Sequence, residues 1–328
     1  MDFELSEDQA ALAEGVRSFC AGRFPVAVVR ELAGVGGVDR DRWRELADLG
    51  LFALRVPEAD GGTGLGWTDA VLAFEELGRA LVPGPLVWTH LLAGRVDGAD
   101  TGAVVVGAIE RDDPSRLVEH AAALDLLAVV DEEGLWLVDP SALDLLELPT
   151  PLDPLTPVAR LSGPLPQGDR LLGADQLDAL RLGGAALTSA MALGVAEAAT
   201  DLAVAYAKER HQFGRPIGAF QALKHLMADM FVRTEMARGA VYAAGVTLDD
   251  PEVGSVERAV AGAKINAGEA AVGNGKTCVQ VHGGMGYTWE VDAHLYLKRA
   301  YVLDAAFGGR DGWSDALADL LTSLPAGG

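Results

Sequence analysis

Residues 210–230 read RHQFGRPIGAFQALKHLMADM. They join two stretches of helical character. Leu182 to Glu209 is rich in Ala, Leu and Val, with apolar residues recurring at three and four; Phe220 to Val246 repeats that period. Between them Gly214, Pro216 and Gly218 interrupt the helix. The connection carries Arg210, His211, Gln212 and Phe213. A guanidinium beside a glycine-bearing turn suits a pyrophosphate, because planar donors and backbone N–H groups can converge on the oxygens. The same residues also make an ordinary helix–helix connection with a surface arginine, and physics alone leaves both readings open.

A chain of 328 residues, half of them hydrophobic, predicts two or three domains with a sizeable core. Aromatic residues are 6% and glycines number 40, so helices are expected to pack closely through Ala and Gly. The net charge of -22 argues against nucleic acid or an anionic membrane as a partner, although a local arginine cluster can still hold an anionic ligand. Cys20 and Cys278 make no disulfide framework, no secretory leader is visible, and a cytoplasmic location is the expectation. The apolar stretch Leu182 to Ala196 is too short to span a bilayer and predicts a buried core helix.

The N-terminal part reads as helical. Ser6 with Gln9 fits a capping box, and helices are predicted over Glu7 to Phe19, Asp41 to Leu49 and Asp69 to Leu81, with a glycine-rich structural loop at Pro57 to Gly66. From about 101 to 170 the period becomes that of strands. Ala103 to Ile109 is an apolar run of strand length. Leu126 to Val130 and Leu135 to Val138 flank Asp131-Glu-Glu-Gly134 and predict a hairpin. Pro149 to Pro166 reads as irregular edges and loops. Beyond 175, four long helices are expected, roughly 177–209, 219–247, 252–282 and 290–322, in an antiparallel bundle. The domains expected are 1–98 (helical), 99–174 (a reduced β domain) and 175–328 (a four-helix bundle), a mainly α fold. The six histidines show no metal-ligand spacing, and His225 reads as a hydrogen-bonded packing residue.

The motif Arg210-x-x-Phe213-Gly214-x-Pro216-Ile217-Gly218-x-Phe220-Gln221, with His225 and Ala228-Asp229-Met230, resembles the signature of the acyl-CoA dehydrogenase family. So do QVHGGMGYTWE (Gln280 to Glu290), LYLKRA (Leu295 to Ala300) and, near the N-terminus, RWRELADLGLFALRVPEADGGTGLG and FEELGRAL. The resemblance covers nearly the whole chain and is weakest from about 95 to 170. It implies FAD as cofactor, an acyl-CoA substrate and an electron-transfer acceptor. It places Arg210, Gln212, Phe213, Gln280, Gly283 and Gly284 on the ADP half of an FAD that is held mainly by a neighbouring chain. The glycine pair also reads as a helix C-cap, and the two roles are compatible.

The resemblance departs from the family in two places. The family's middle-domain marker, a Thr-Glu-Pro loop followed by Gly-Ser-Asp, is absent. Removal of an α-proton needs a poised carboxylate, which the family carries as a glutamate after the last helix turn; here Gly308 stands at that place, in Ala306-Phe307-Gly308-Gly309-Arg310. No acid occurs from Leu182 to Ala196, where some members carry the base, and Asp304 and Asp311 lie near Gly308 on other faces. The chain thus resembles the short, base-lacking subunit of actinobacterial heteromeric dehydrogenases of the steroid side-chain type. That implies a larger homologous subunit in a heterotetramer. A non-catalytic scaffold and a homomeric enzyme with a relocated base are the alternatives.

Overall fold

A computed structural model describes residues 5–34 and 37–322. The helices in chain order are α1 (Glu7–Arg23), α2 (Val26–Ala33), α3 (Arg40–Asp48), α4 (Trp67–Arg79) and α5 (Leu86–Leu92). They continue with α6 (Leu177–Glu209), α7 (Gln221–Asp249), α8 (Val256–His282), α9 (Ala293–Ala305) and α10 (Arg310–Thr322). The strands are β1 (Val106–Glu110), β2 (Leu117–Glu119), β3 (Leu126–Val130), β4 (Gly134–Val138) and β5 (Leu145–Glu147). Then come β6 (Val158–Leu161), β7 (Asp169–Gly173) and the two-residue strands β8 (His211–Gln212) and β9 (Arg215–Pro216). Two compact units emerge, one of residues 1–22, 67–82 and 185–328, the other of 23–66 and 83–184. The fold is mainly α, of acyl-CoA dehydrogenase type.

The second unit holds β1 to β7. One sheet has the order β1-β3-β4-β7, the other β2-β6-β5. The expected hairpin forms: β3 and β4 pair antiparallel from Leu127↔Val138 to Val130↔Leu135. Its turn is held by Asp131, whose carboxylate accepts the Glu133 N–H at 2.8 Å. β1 runs parallel to β3, and Leu92, Val106, Val130, Leu135 and Leu172 form the apolar core beneath the sheet. Pro149 to Pro166 corrects the sequence reading. Val158–Leu161 inside it is the central strand of the second sheet, between β2 and β5. The prolines only flank this strand, so every ladder N–H it needs is present.

The first unit is built by close helix approach. A side chain at Gly78 would collide with the Met191 backbone, and one at Gly194 with the Glu75 carbonyl. These glycines let α4 and α6 touch through their backbones. Residues 185–200 of α6 are almost wholly buried. Ala174–Glu209 is long and apolar enough, by length and composition, to cross a membrane, but most of its apolar window is buried inside the fold, as in a core helix. The polar knot beside it is Asn274 on α8. Its amide donates to Met230 O (3.0 Å) and Thr234 Oγ1 (3.0 Å) on α7 and to Thr200 Oγ1 (3.1 Å) on α6. Its Oδ1 accepts from Arg233 (2.7 Å).

Several arginines of this unit are paired with buried or half-buried carboxylates. Arg17 bonds Glu76 with two donors, at 2.7 and 3.0 Å. Arg79 reaches Glu197 (2.6 Å) and Asp201 (2.5 Å). Arg238 meets Glu75 and Glu197, and the Tyr242 hydroxyl donates to Glu75 at 2.9 Å. Burial pushes the Glu75 carboxyl up to about 7, against the pull of Arg238. The sequence reading of a fourth long helix over 290–322 is also corrected. Phe307 and Gly308 take φ of 53° and 89° and divide it into α9 and α10, because two successive left-handed residues cannot continue a right-handed helix.

Two outcomes follow from this packing. Gly194→Leu should prevent folding of the helical unit, seen as loss of the cooperative denaturant transition, because the barrier is backbone and cannot rotate away. Glu75 binds its proton more tightly folded than unfolded. Its contribution is complete below the ordinary carboxylate range and fades as pH rises through about 7. Measured melting curves should therefore show Glu75→Gln flattening the fall in stability between pH 5 and 8, by up to roughly 3 kcal/mol.

Candidate functional site

The 210–230 stretch folds as a small hairpin between two helices. β8 and β9 pair with the register His211↔Pro216 and Gln212↔Arg215, leaving Phe213 and Gly214 as a two-residue turn. Both turn residues have positive φ, 53° and 79°, the conformation that matches the twist of a tight hairpin. Glycine adopts it freely, whereas phenylalanine is strained there by roughly 1–2 kcal/mol. Phe213 is also 92% exposed, touching Phe220 edge-on at 6.1 Å. A strained aromatic that buries almost nothing contributes little to this chain's own stability; its surface is available to a ligand or another chain. The hairpin base is held close to α6, since an added Cβ at Gly218 would stand 2.9 Å from the Ala207 carbonyl oxygen. Arg210 is exposed, and its guanidinium makes no hydrogen bond or ion pair among the described residues. Gln212 is exposed as well, its amide donating to the neighbouring His211 carbonyl at 2.8 Å.

The second predicted group sits at the end of α8. Gln280, Gly283 and Gly284 are exposed. Gly283 has φ 61° and returns its N–H to the Gln280 carbonyl as the helix cap. No atom lies within 4 Å of where a Cβ would stand on Gly283 or Gly284, so this backbone faces open space. The two groups share one end of the helical unit. Tyr206, four residues before Arg210, stacks on His282, two residues after Gln280, with centroids 4.1 Å apart. Around that stack Ala207, Ile217, Leu223, Val279 and Val281 belong to one apolar cluster. His282 is buried, and its Nδ1–H donates to the Cys278 carbonyl at 2.8 Å, which fixes the ring. His225 differs from the sequence reading: it is exposed on α7 with no hydrogen bond to a described residue. The helical period places it on the outer face, one position away from the inward row that includes Met230 and Thr234.

Gly308 lies in the turn between α9 and α10. The Trp313 Nε1–H donates to the Phe307 carbonyl at 3.0 Å, and the indole nitrogen would stand 3.1 Å from a Cβ at Gly308. Arg310 clasps Asp304 at 2.8 Å and also meets Glu269. Lys264, buried beneath, donates to the Leu303 carbonyl at 2.6 Å. Burial pulls its ammonium down to about 8, with Asp304 opposing that shift. Asp304 is therefore committed to Arg310, and Asp311 is exposed in the first turn of α10.

The N-terminal domain of the acyl-CoA dehydrogenases matches residues 6–96, and their C-terminal domain matches residues 179–312. Acyl-CoA dehydrogenase IpdE2 of Mycolicibacterium smegmatis is 36% identical, over 90% of this chain and 93% of its own length. The chain belongs to the acyl-CoA dehydrogenase family. Acyl-CoA dehydrogenase FadE34 of Mycobacterium tuberculosis is 33% identical over 94% of this chain, which spans only 47% of that relative. Among solved structures, the ChsE4-ChsE5 complex from Mycobacterium tuberculosis superimposes with a TM-score of 0.84 at 25% identity, covering 99% of this chain and 100% of the matched one.

FAD is the cofactor of acyl-CoA dehydrogenases. The donor set present suits its anionic half: an uncommitted guanidinium at Arg210, carboxamides at Gln212 and Gln280, and open backbone at Gly283 and Gly284. The sequence reading missed the Tyr206–His282 stack, which joins the two groups. Tyr206 carries no motif signal, but His282 directly precedes the glycine pair and was the available clue.

The Gly308 turn has its own consequence. Gly308→Ala should lower stability by about 1–2 kcal/mol in chemical denaturation, because φ 89° favours glycine and Trp313 lies against the site. Gly308→Glu should cost at least as much and create no dehydrogenase activity.

Proposed function

We propose that this chain is one subunit of a flavin-dependent acyl-CoA dehydrogenase that introduces an α,β double bond into an acyl-CoA thioester, working beside a larger homologous subunit. The observation that carries this reading is the Gly308 turn. Where the family uses a glutamate, this chain has a left-handed glycine against Trp313, and Asp304, on the helix before it, is held by Arg310. The ADP-side donors, by contrast, stand exposed and uncommitted at Arg210 and Gln280.

The reaction removes a proton from the α-carbon and a hydride from the β-carbon. When bound, FAD supplies the hydride acceptor. The proton needs a carboxylate whose contribution is typically ~10²–10⁴-fold, and in this reading the larger subunit provides it. This chain's own residues bind and orient. Arg210 would offer its guanidinium to the diphosphate, Gln212 and Gln280 would add amide donors, and Phe213 would offer an aromatic face to the adenosine end. The Tyr206–His282 stack keeps the Arg210 hairpin beside the Gln280–Gly284 turn. A heterotetramer, an electron-transfer acceptor, a cytoplasmic setting and a steroid side-chain thioester as substrate belong to the same proposal. Pairing with a second subunit is supported by the likeness to a chain of the ChsE4-ChsE5 complex.

The test compares the chain alone, with excess FAD and an artificial electron acceptor, against the assembly purified from the native host. The expected result is turnover in the assembly only. Robust turnover by the lone chain, lost on replacing Asp304 or Asp311, would favour a homomeric enzyme with a relocated base. In the assembly, Arg210→Ala should weaken FAD binding roughly ten- to a hundredfold, as loss of a charge-assisted hydrogen bond implies; unchanged flavin retention would remove the assignment.

A further inference from the structure

We infer that Arg215 is a second guanidinium for the diphosphate of the bound dinucleotide, reaching it from the opposite strand of the hairpin; this rests on the reading of Arg210 and Gln212 above. The hairpin register carries the argument. Residues directly opposite one another in an antiparallel pair present their side chains to the same face, and alternate residues along a strand share it too. Gln212 pairs with Arg215. One step further along, the Ile217 N–H donates to the Arg210 carbonyl at 2.8 Å. Arg210, Gln212 and Arg215 therefore belong to one face, while His211 and Pro216 belong to the other. If Gln212 meets the cofactor, Arg215 stands beside it.

The side chain is arranged for such a role. Its guanidinium lies 4.2 Å from the centroid of the Phe220 ring, which in turn meets Phe213. Stacking on an aromatic face holds the planar fork and leaves its in-plane N–H groups free to donate. Arg215 is exposed and makes no ion pair among the described residues. Residues 210–228 contain Arg210, Arg215 and Lys224 and no carboxylate, in a chain of net charge -22. The arginines in the helical unit's interior network, Arg17, Arg79 and Arg238, each have a carboxylate partner. The hairpin thus concentrates positive charge without neutralising it, and a diphosphate between two guanidinium groups supplies the missing anion.

The experiment uses the assembly purified from its host with FAD bound. Release of FAD on dilution is followed by the rise of free-flavin fluorescence at several salt concentrations, with assembly size measured in parallel. Arg215→Gln is expected to weaken FAD retention about tenfold and to reduce its salt dependence, with the assembly intact. Arg215→Lys should keep most of the salt dependence and regain part of the affinity. If Arg210→Gln weakens retention but Arg215→Gln leaves it unchanged, this inference is overturned and the Arg210 site stands. If neither variant changes retention, the cofactor reading of the whole hairpin falls with it. If Arg215→Gln dissociates the assembly while FAD binding to intact assemblies is unaltered, Arg215 serves a protein contact and the inference is likewise overturned.

Discussion

Burial of α6 on nearly every side from 185 to 200 is the constraint on which the helical unit depends. A helix that is apolar all round has no face to give to water and is stable only when enclosed. Enclosure requires small residues at the contacts, and Gly78 and Gly194 provide them where α4 and α6 meet backbone to backbone. It also requires that any polar group drawn inward be satisfied. Asn274 meets that condition by using both amide hydrogens and its oxygen across three helices. With α6 fixed along its length, the point where it ends at Glu209 is fixed too, and the hairpin that follows is held against Ala207 by the glycine at 218.

The same unit separates two kinds of arginine. In its interior network Arg17, Arg79 and Arg238 neutralise Glu76, Glu197 and Glu75, and one of those carboxylates is buried enough to hold its proton up to about neutral pH. Such pairs offset their own desolvation and orient helices, but they have nothing left for a ligand. At the hairpin Arg210 and Arg215 have no carboxylate among the described residues. Uncommitted donors beside a strained, exposed Phe213 and open glycine backbone are poor structural chemistry and good ligand chemistry. The Gly308 turn is the reverse case. Its hydrogen bonds and ion pairs are internal, and Trp313 lies against the glycine at 308.

Particular elements show what a linear reading can reach. The β3–β4 hairpin was legible because two apolar runs of strand length flank an acidic, glycine-ended turn. The Ser6–Gln9 capping box was legible because both of its bonds are local, at 3.1 and 3.2 Å. The strand Val158–Leu161 was hidden, since nearby prolines signal irregular chain and only pairing to β2 and β5 makes it central. The break at Phe307–Gly308 was hidden for a related reason: apolar residues recur at helical spacing on both sides, and the side-chain bonds of Trp313, Arg310 and Lys264 around the turn leave no periodic signal. His225 was misplaced because a helical period marks a face only after the core has chosen which face points inward.

Family, mainly α architecture and the absence of a glutamate at position 308 were all readable from the chain alone. These are properties of local spacing and side-chain chemistry, and they survive without a third dimension. The tertiary structure alone decided that the Arg210 hairpin and the Gln280–Gly284 turn share one end of the helical unit, through the Tyr206–His282 stack. It alone placed Arg215 on the face of Gln212, and committed Asp304 to Arg310. Each of these depends on which groups meet across many residues of chain or across a strand register, and such meetings are set by the packing of the whole unit rather than by any short stretch.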